Sequence, residues 1–187
     1  MRRAAPDLRV VRAGVMLRRT GVPAGGVLIS VGLAGGLRPD AEAGSVVVPT
    51  EVALGDERYG CDEQWSAALE RAARGLGHPV LRAALVTTDR MVTGADRAPH
   101  AARGFVAVDT ETGLLARNHA RVAAVRVLLD TPARELSPRW LHPAWALFDP
   151  RCWGQAVWLA RHAPAYARRA AEVLASALRD VDVDAEV

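Results

Sequence analysis

Apolar residues fall in short unbroken blocks separated by glycine, proline and polar stretches, the pattern of strands buried on both faces of a sheet. Leu8–Arg12 (LRVVR) reads as a first such block, followed by a brief helical stretch, Val15–Arg19, and a turn at Gly21–Gly26. Val27–Val31 (VLISV) is a continuous run rich in β-branched residues and predicts a buried strand that ends in Gly32, Leu33, Ala34, Gly35 and Gly36. Ser45–Thr50 (SVVVPT) predicts another, with Pro49 placing its end at an edge or outside the ladder. Residues 51–63 read as irregular and polar. Asp62–Leu76 carries apolar positions at helical spacing, with Asp62 as N-cap and Gly75 and Gly77 closing the helix.

Leu81–Thr87 predicts a strand and Thr88–Arg103 a polar loop with one helical turn. Phe105–Val108 is a short strand running into Asp109, Thr112–Ala120 a helix, and Val122–Leu129 (VAAVRVLL) a buried strand that delivers Asp130 just before Pro132. A helix over Ala165–Leu178 follows, with apolar positions at spacings of three and four, and the tail VDVDAEV reads as frayed. Alternating strands and helices predict an α/β fold: a three-layer α/β/α sandwich around a twisted, mixed and mostly parallel sheet. At 187 residues this is expected to form one domain, with a tryptophan-rich helical region at 138–180.

Composition narrows the classes of function. The chain contains no lysine, and its 24 basic residues are offset by 21 acidic ones scattered among them, so no nucleic-acid footprint is predicted. Cys61 and Cys152 stand apart without ligand-spaced neighbours, which predicts free thiols, no metal site and no cofactor. The amino terminus lacks an apolar run suited to a signal, and no stretch approaches the ~20 apolar residues of a membrane span. A cytoplasmic protein is expected, with no membrane contact unless its substrate is a lipid.

Three segments carry candidate chemistry, and all three lie where predicted strands end, the place where open α/β sheets bind ligands. They are Gly32–Gly36, Asp109–Glu111 and Asp130. Taken alone, Asp130 before Thr-Pro reads equally as a turn residue and Glu111 as a charge favoured at a helix amino terminus. Asp109 is expected to point to the opposite side from Glu111, solvated or structural. His100, His119 and His142 show no metal-ligand spacing.

Together the segments resemble one family. SVGLAGGLRPDAEAGSVVVPTEV (30–52) is similar to the glycine-rich strand-and-turn signature of purine nucleoside phosphorylases and methylthioadenosine/S-adenosylhomocysteine nucleosidases. AVDTETG (107–113) is similar to that family's Val-acid-Met-Glu segment, and VRVLLDTP (125–132) to the strand ending in its catalytic aspartate. The carboxyl-terminal stretch from Ala133 to Pro164 resembles the hopanoid-associated phosphorylases, whose substrate carries a polycyclic lipid.

The resemblance implies cleavage of the N-glycosidic bond of a purine nucleoside of adenosine type, with Asp130 protonating the departing base and Glu111 holding the ribose. Gly32, Leu33, Ala34, Gly35, Gly36 and Thr110 would line the substrate site. Thr110 stands where the family has methionine, and Leu33 where its phosphorylases place a phosphate-holding serine. Leucine offers no hydrogen bond, so water is favoured over phosphate as the nucleophile. Against the family pattern the chain is expected to lack the first strand, and the stretch from Glu111 to Asp130 is shorter by about one helical turn. A homo-oligomer is implied. The competing expectation is a non-catalytic member that binds a nucleoside.

Overall fold

The computed structural model describes residues 10–11, 26–141 and 148–184. Apart from Val10, Val11 and Gly26, the predicted strand Leu8–Arg12, helical stretch Val15–Arg19 and turn Gly21–Gly26 lie outside these residues, as do His142 and Trp145. Among the described residues eight strands form one sheet in the order β4-β3-β6-β7-β1-β8-β2-β5. They are β1 (Leu28–Gly36), β2 (Val46–Val47), β3 (Glu51–Leu54), β4 (Glu57–Gly60), β5 (Val80–Leu81), β6 (Ala84–Thr87), β7 (Phe105–Asp109) and β8 (Val122–Asp130). The helices are α1 (Glu63–Gly75), α2 (Arg97–Ala102), α3 (Thr112–Asn118) and α4 (Trp153–Asp184).

The two longest strands, β1 and β8, run parallel at the centre, from Leu28 opposite Val122 to Gly35 opposite Asp130. Their side chains alternate between two faces. Val125 and Val127 of β8 pack with Val46, Val48, Leu69, Ala73, Ala170 and Val173 beneath α1 and α4. Each such valine or leucine contributes about 1.5–3 kcal/mol on full burial. The opposite face of β8 carries Arg126 and Leu128, and there α3 covers the sheet, so helices occupy both faces around a mixed sheet as predicted; a register shift then brings Asp130, rather than Leu129, opposite Gly35. Gly113 lets α3 sit close on β6, because a Cβ there would lie 2.9 Å from the side chains of Leu54 and Thr87.

The strand expected over Ser45–Thr50 shortens to Val46–Val47, the loop Thr88–Arg103 carries α2, and four further expectations change. The glycine run is not the turn after a strand but the second half of β1, kept in the ladder by pairing with β8 and, at Gly35 and Gly36, with β7. Residues 51–63, expected to be irregular, form the hairpin β3–β4, turned by Gly55 at φ 61°. The block Leu81–Thr87 divides between β5 and β6, which pair with different neighbours, β2 and β3.

The fourth change is in the last helix. It begins at Trp153 rather than near Ala165 and runs through Pro164 to Asp184, past the point where the tail was expected to fray. Burial of Ala170, Val173 and Ala177 anchors its second half. That packing outweighs the local cost of the proline, whose missing N–H leaves one helical carbonyl without its partner.

Candidate active site

β7 runs antiparallel to β1, with Val108 opposite Gly35, whereas β8 runs parallel to β1. The carboxyl ends of β7 and β8 therefore point in opposite directions along the sheet. Asp109 and Glu111 enter from one side of β1 and Asp130 from the other, rather than from one shared edge. Arg126 and Asp130 stand four residues apart on β8 with a register shift between them, so that Asp130 pairs with Gly35, and Arg126 reaches across to Asp109 just before α3.

Asp109 is the centre of a buried polar network. Its side chain is fully buried and accepts from Arg126 Nη2 at 2.8 Å and Nε at 2.9 Å, from Thr87 Oγ1 at 2.6 Å, and from the Thr112 hydroxyl. It also accepts from the backbone N–H of Thr112, at 3.3 and 3.2 Å, and so caps α3 from a position before the helix. Arg126 Nη2 donates further to Ser30 Oγ and Thr112 Oγ1, each at 2.7 Å. Asp109 is thus structural, as one of its expected alternatives had it; the solvated alternative is excluded by burial.

Asp130 has a partner the sequence did not suggest. Arg97, on α2 and only 3% exposed, donates from Nη2 to Asp130 Oδ2 at 2.5 Å and from Nε to Glu135 Oε1 at 2.9 Å, while its Nη1 donates to the carbonyl of Gly36. Glu135 is tied in turn by the N–H of Gly94 at 2.7 Å. Burial pushes the Asp130 carboxyl above its ordinary range, and the Arg97 guanidinium opposes that rise without cancelling it. The result is a carboxyl held in a dry setting with a cation ready to take up its charge.

Glu111 is half-buried at the position preceding α3, and Thr110 Oγ1 donates to its Oε1 at 2.5 Å. The glycine run acts through what it makes room for. A Cβ on Gly32 would lie 2.8 Å from Arg126 Nη1, and one on Gly35 2.9 Å from Asp130 Oδ1. Gly36 lies against Thr131 and Leu128. Ala34 is buried in the core with Val47 and Leu128, and Leu33 turns to the α1–α4 side to pack against that core. The predicted segment therefore splits: Gly32 and Gly35 face the acidic and basic side chains, whereas the Leu33 side chain turns away from them.

Two residues escaped the sequence reading. Arg126 had a visible signal, as the one charged residue inside the apolar strand VAAVRVLL. Arg97 had none, because its polar surroundings in ADRAPHAARG look like solvent-facing loop. A groove of about 570 Å³ lies elsewhere, between β4, the end of α3 and the amino-terminal end of β8, lined by Arg58, Tyr59, Arg117 and His119 among others. None of the predicted site residues lines it, and it sits at the opposite end of β8 from Asp130. Cys61 and Cys152 are free, and burial pushes the Cys61 thiol up to about 11. Among the described residues no cluster of three or more His, Cys, Asp or Glu could hold a metal ion, and no helix is long and apolar enough to cross a membrane.

A family model described as the phosphorylase superfamily matches residues 24–148. Among solved structures, the chain is similar to a 5′-methylthioadenosine/S-adenosylhomocysteine nucleosidase from Neisseria meningitidis in complex with methylthio-immucillin-A. The TM-score is 0.62 at 20% identity, covering 81% of this chain and 68% of that one. It is also similar to futalosine hydrolase of Helicobacter pylori, with TM-score 0.61, 14% identity, and 82% and 68% of the two chains covered. Purine nucleoside phosphorylase from Toxoplasma gondii in complex with immucillin-H gives 0.57 at 14% identity, over 83% of this chain and 63% of that one. At these identities the likeness is one of fold. None of the curated proteins matches the chain in sequence.

Proposed function

Because this chain belongs to the phosphorylase superfamily, we propose that it cleaves the N-glycosidic bond of a purine nucleoside, by hydrolysis rather than phosphorolysis. The observation that carries the reading is the buried carboxyl of Asp130, raised above its ordinary range by burial, at the end of the strand that also carries Arg126, whose partner Asp109 lies two residues before Glu111. Breaking the bond between the anomeric carbon and purine N9 sends the bonding electrons into the base and leaves positive charge on the sugar. Asp130 gives its proton to purine N7, so that the base leaves neutral. Glu111 accepts hydrogen bonds from the ribose hydroxyls and lies close to the developing oxocarbenium charge.

Water then bonds to the anomeric carbon and loses a proton to solvent, giving free base and free sugar. Water is favoured as the nucleophile because the Leu33 side chain is packed against the core and offers a phosphate no donor. The buried cations Arg126 and Arg97 are already committed to Asp109 and Asp130.

The test is incubation with adenosine, 5′-methylthioadenosine and S-adenosylhomocysteine, with and without phosphate, followed by assay for free adenine. Phosphate-independent adenine release is the expected result. Release that requires phosphate would replace hydrolysis by phosphorolysis. Absence of release from all three, with saturable binding of any of them by calorimetry, would replace cleavage by nucleoside binding.

A further inference from the structure

Asp130 needs two properties that oppose each other: it must keep its proton until the base arrives, and it must then part with it. Burial raises the carboxyl and so favours the first. The second requires a charge to receive the carboxylate that remains, and the geometry around Arg97 fits that requirement. Its guanidinium is almost wholly buried and is held on two other sides, by Glu135 through Nε and by the Gly36 carbonyl through Nη1, so that Nη2 is aimed at Asp130 Oδ2. The Glu135 carboxylate that steadies it is itself fixed by the N–H of Gly94. Four segments meet at this one side chain: α2, the end of β1, the end of β8 and the residues that follow it.

Resting on the cleavage reading above, we propose that Arg97 is the positioning residue for Asp130: it fixes Oδ2, turns Oδ1 over Gly35 toward the base, and stabilises the carboxylate left when the proton departs. In the protonated form Oδ2 accepts from Nη2 and Oδ1 carries the proton. Transfer breaks the Oδ1–H bond and forms N7–H on the base, and the charge left behind pairs with a cation already in contact. Because that cation is in place beforehand, little reorganisation accompanies the transfer. The charged groups that face Asp130 are Arg97 from α2 and, behind it, Glu135 from the segment after β8; β1 contributes only Gly35 and Gly36, and β7 contributes Val108.

The experiment reads Asp130 directly, by the pH titration of its side-chain carboxyl carbon in NMR spectra of the whole protein, in wild type and in Arg97→Gln and Arg97→Lys. The titration is expected to move up by about one unit or more in Arg97→Gln, the size of effect an adjacent opposite charge produces, and to return toward wild type in Arg97→Lys. The pH profile of adenine release should follow: its alkaline limb moves up with the titration in Arg97→Gln, and the plateau rate falls at least tenfold. An unmoved titration overturns the proposal, as does a loss of rate that is uniform in pH, which would mean a structural role only. Should Arg97→Gln fail to fold, Glu135→Gln frees Nε of the same guanidinium and removes a carboxylate that raises the Asp130 value, so it must shift the titration down. Asp130→Asn separates the two levels of the argument: undiminished adenine release in that variant sinks the cleavage reading itself, whereas the Arg97 titration stands or falls on its own.

Discussion

Gly32 and Arg126 lie directly opposite each other on adjacent parallel strands, and the space a Cβ would occupy on Gly32 is taken by Arg126 Nη1, 2.8 Å away. The guanidinium has no easy retreat, because Asp109, Ser30 and Thr112 all hold it. Gly32→Ala should therefore cost stability by about 1–3 kcal/mol, the range for overpacking a filled interior, and should disturb the buried network. Chemical denaturation with urea measures it; a midpoint equal to wild type would show that the arginine moves aside freely.

Gly35 stands in the same relation to Asp130, with Val108 crowding the position from the other side at 3.3 Å. Gly35→Ala is expected to reduce base release more than it reduces stability, because the displaced atom is the Asp130 carboxyl oxygen assigned to the leaving base. The check is the ratio of kcat in the variant to wild type at matched folded fraction. Equal rates would separate the glycine run from the chemistry.

The buried pair Asp109–Arg126 makes a third prediction. Removing the carboxylate leaves a guanidinium in a dry interior without its counter-charge, a change that costs about 3–5 kcal/mol, and it also removes the hydrogen bonds that cap α3. Asp109→Ala should unfold at markedly lower urea, and the double variant Asp109→Ala/Arg126→Met should recover part of the loss. If the double variant is no more stable than the single, stranded charge is not the cause.

These relationships explain what the sequence disclosed and what it withheld. Strand and helix periodicity placed β7, β8 and α1 within a residue or two, because each is a local pattern with local stop signals: Asp62 caps α1 by accepting from Trp65 N at 3.0 Å, and Gly77 at φ 77° follows its end. The hairpin at 51–60 was missed because β4 is a mostly exposed edge strand with little apolar alternation to reveal it. The glycines were misread as a turn because glycine signals permissive backbone or a close neighbour equally well, and only the register with β8 decides between them. Arg97 was invisible since its partners, Asp130 and Glu135, lie 33 and 38 residues away in the chain.

Asp130 should leave a signature in stability as well as activity. Burial raises its carboxyl above the ordinary value of 3.8, with Arg97 opposing. As pH climbs past that ordinary value the unfolded chain ionises while the native protein still holds its proton, so the native state binds more protons and stability falls with rising pH until the raised native value is passed. Asparagine does not titrate. The melting temperature of wild type minus that of Asp130→Asn should therefore decrease from pH 4 toward pH 7, as read by scanning fluorimetry, and a difference that grows with pH would reverse the assignment.

Pro164 offers a test of how the last helix is held. It sits twelve positions inside a continuous helix and is itself exposed. A proline there removes one backbone hydrogen bond and sets its ring against the preceding turn, a local cost of about 3 kcal/mol relative to alanine. The helix nonetheless persists because its second half is fastened by Ala170, Val173 and Ala177, while its first turns are fastened by Gln155, which accepts from Ser137 N at 3.0 Å and Trp140 Nε1 at 2.8 Å. If both halves are anchored independently in this way, Pro164→Ala restores the missing bond without moving either anchor, and stability should rise by about 1–3 kcal/mol with base release unchanged. Thermal unfolding followed at 222 nm measures the gain. A variant that is less stable than wild type would mean that a bend at Pro164 is required for both anchors to reach the sheet at once.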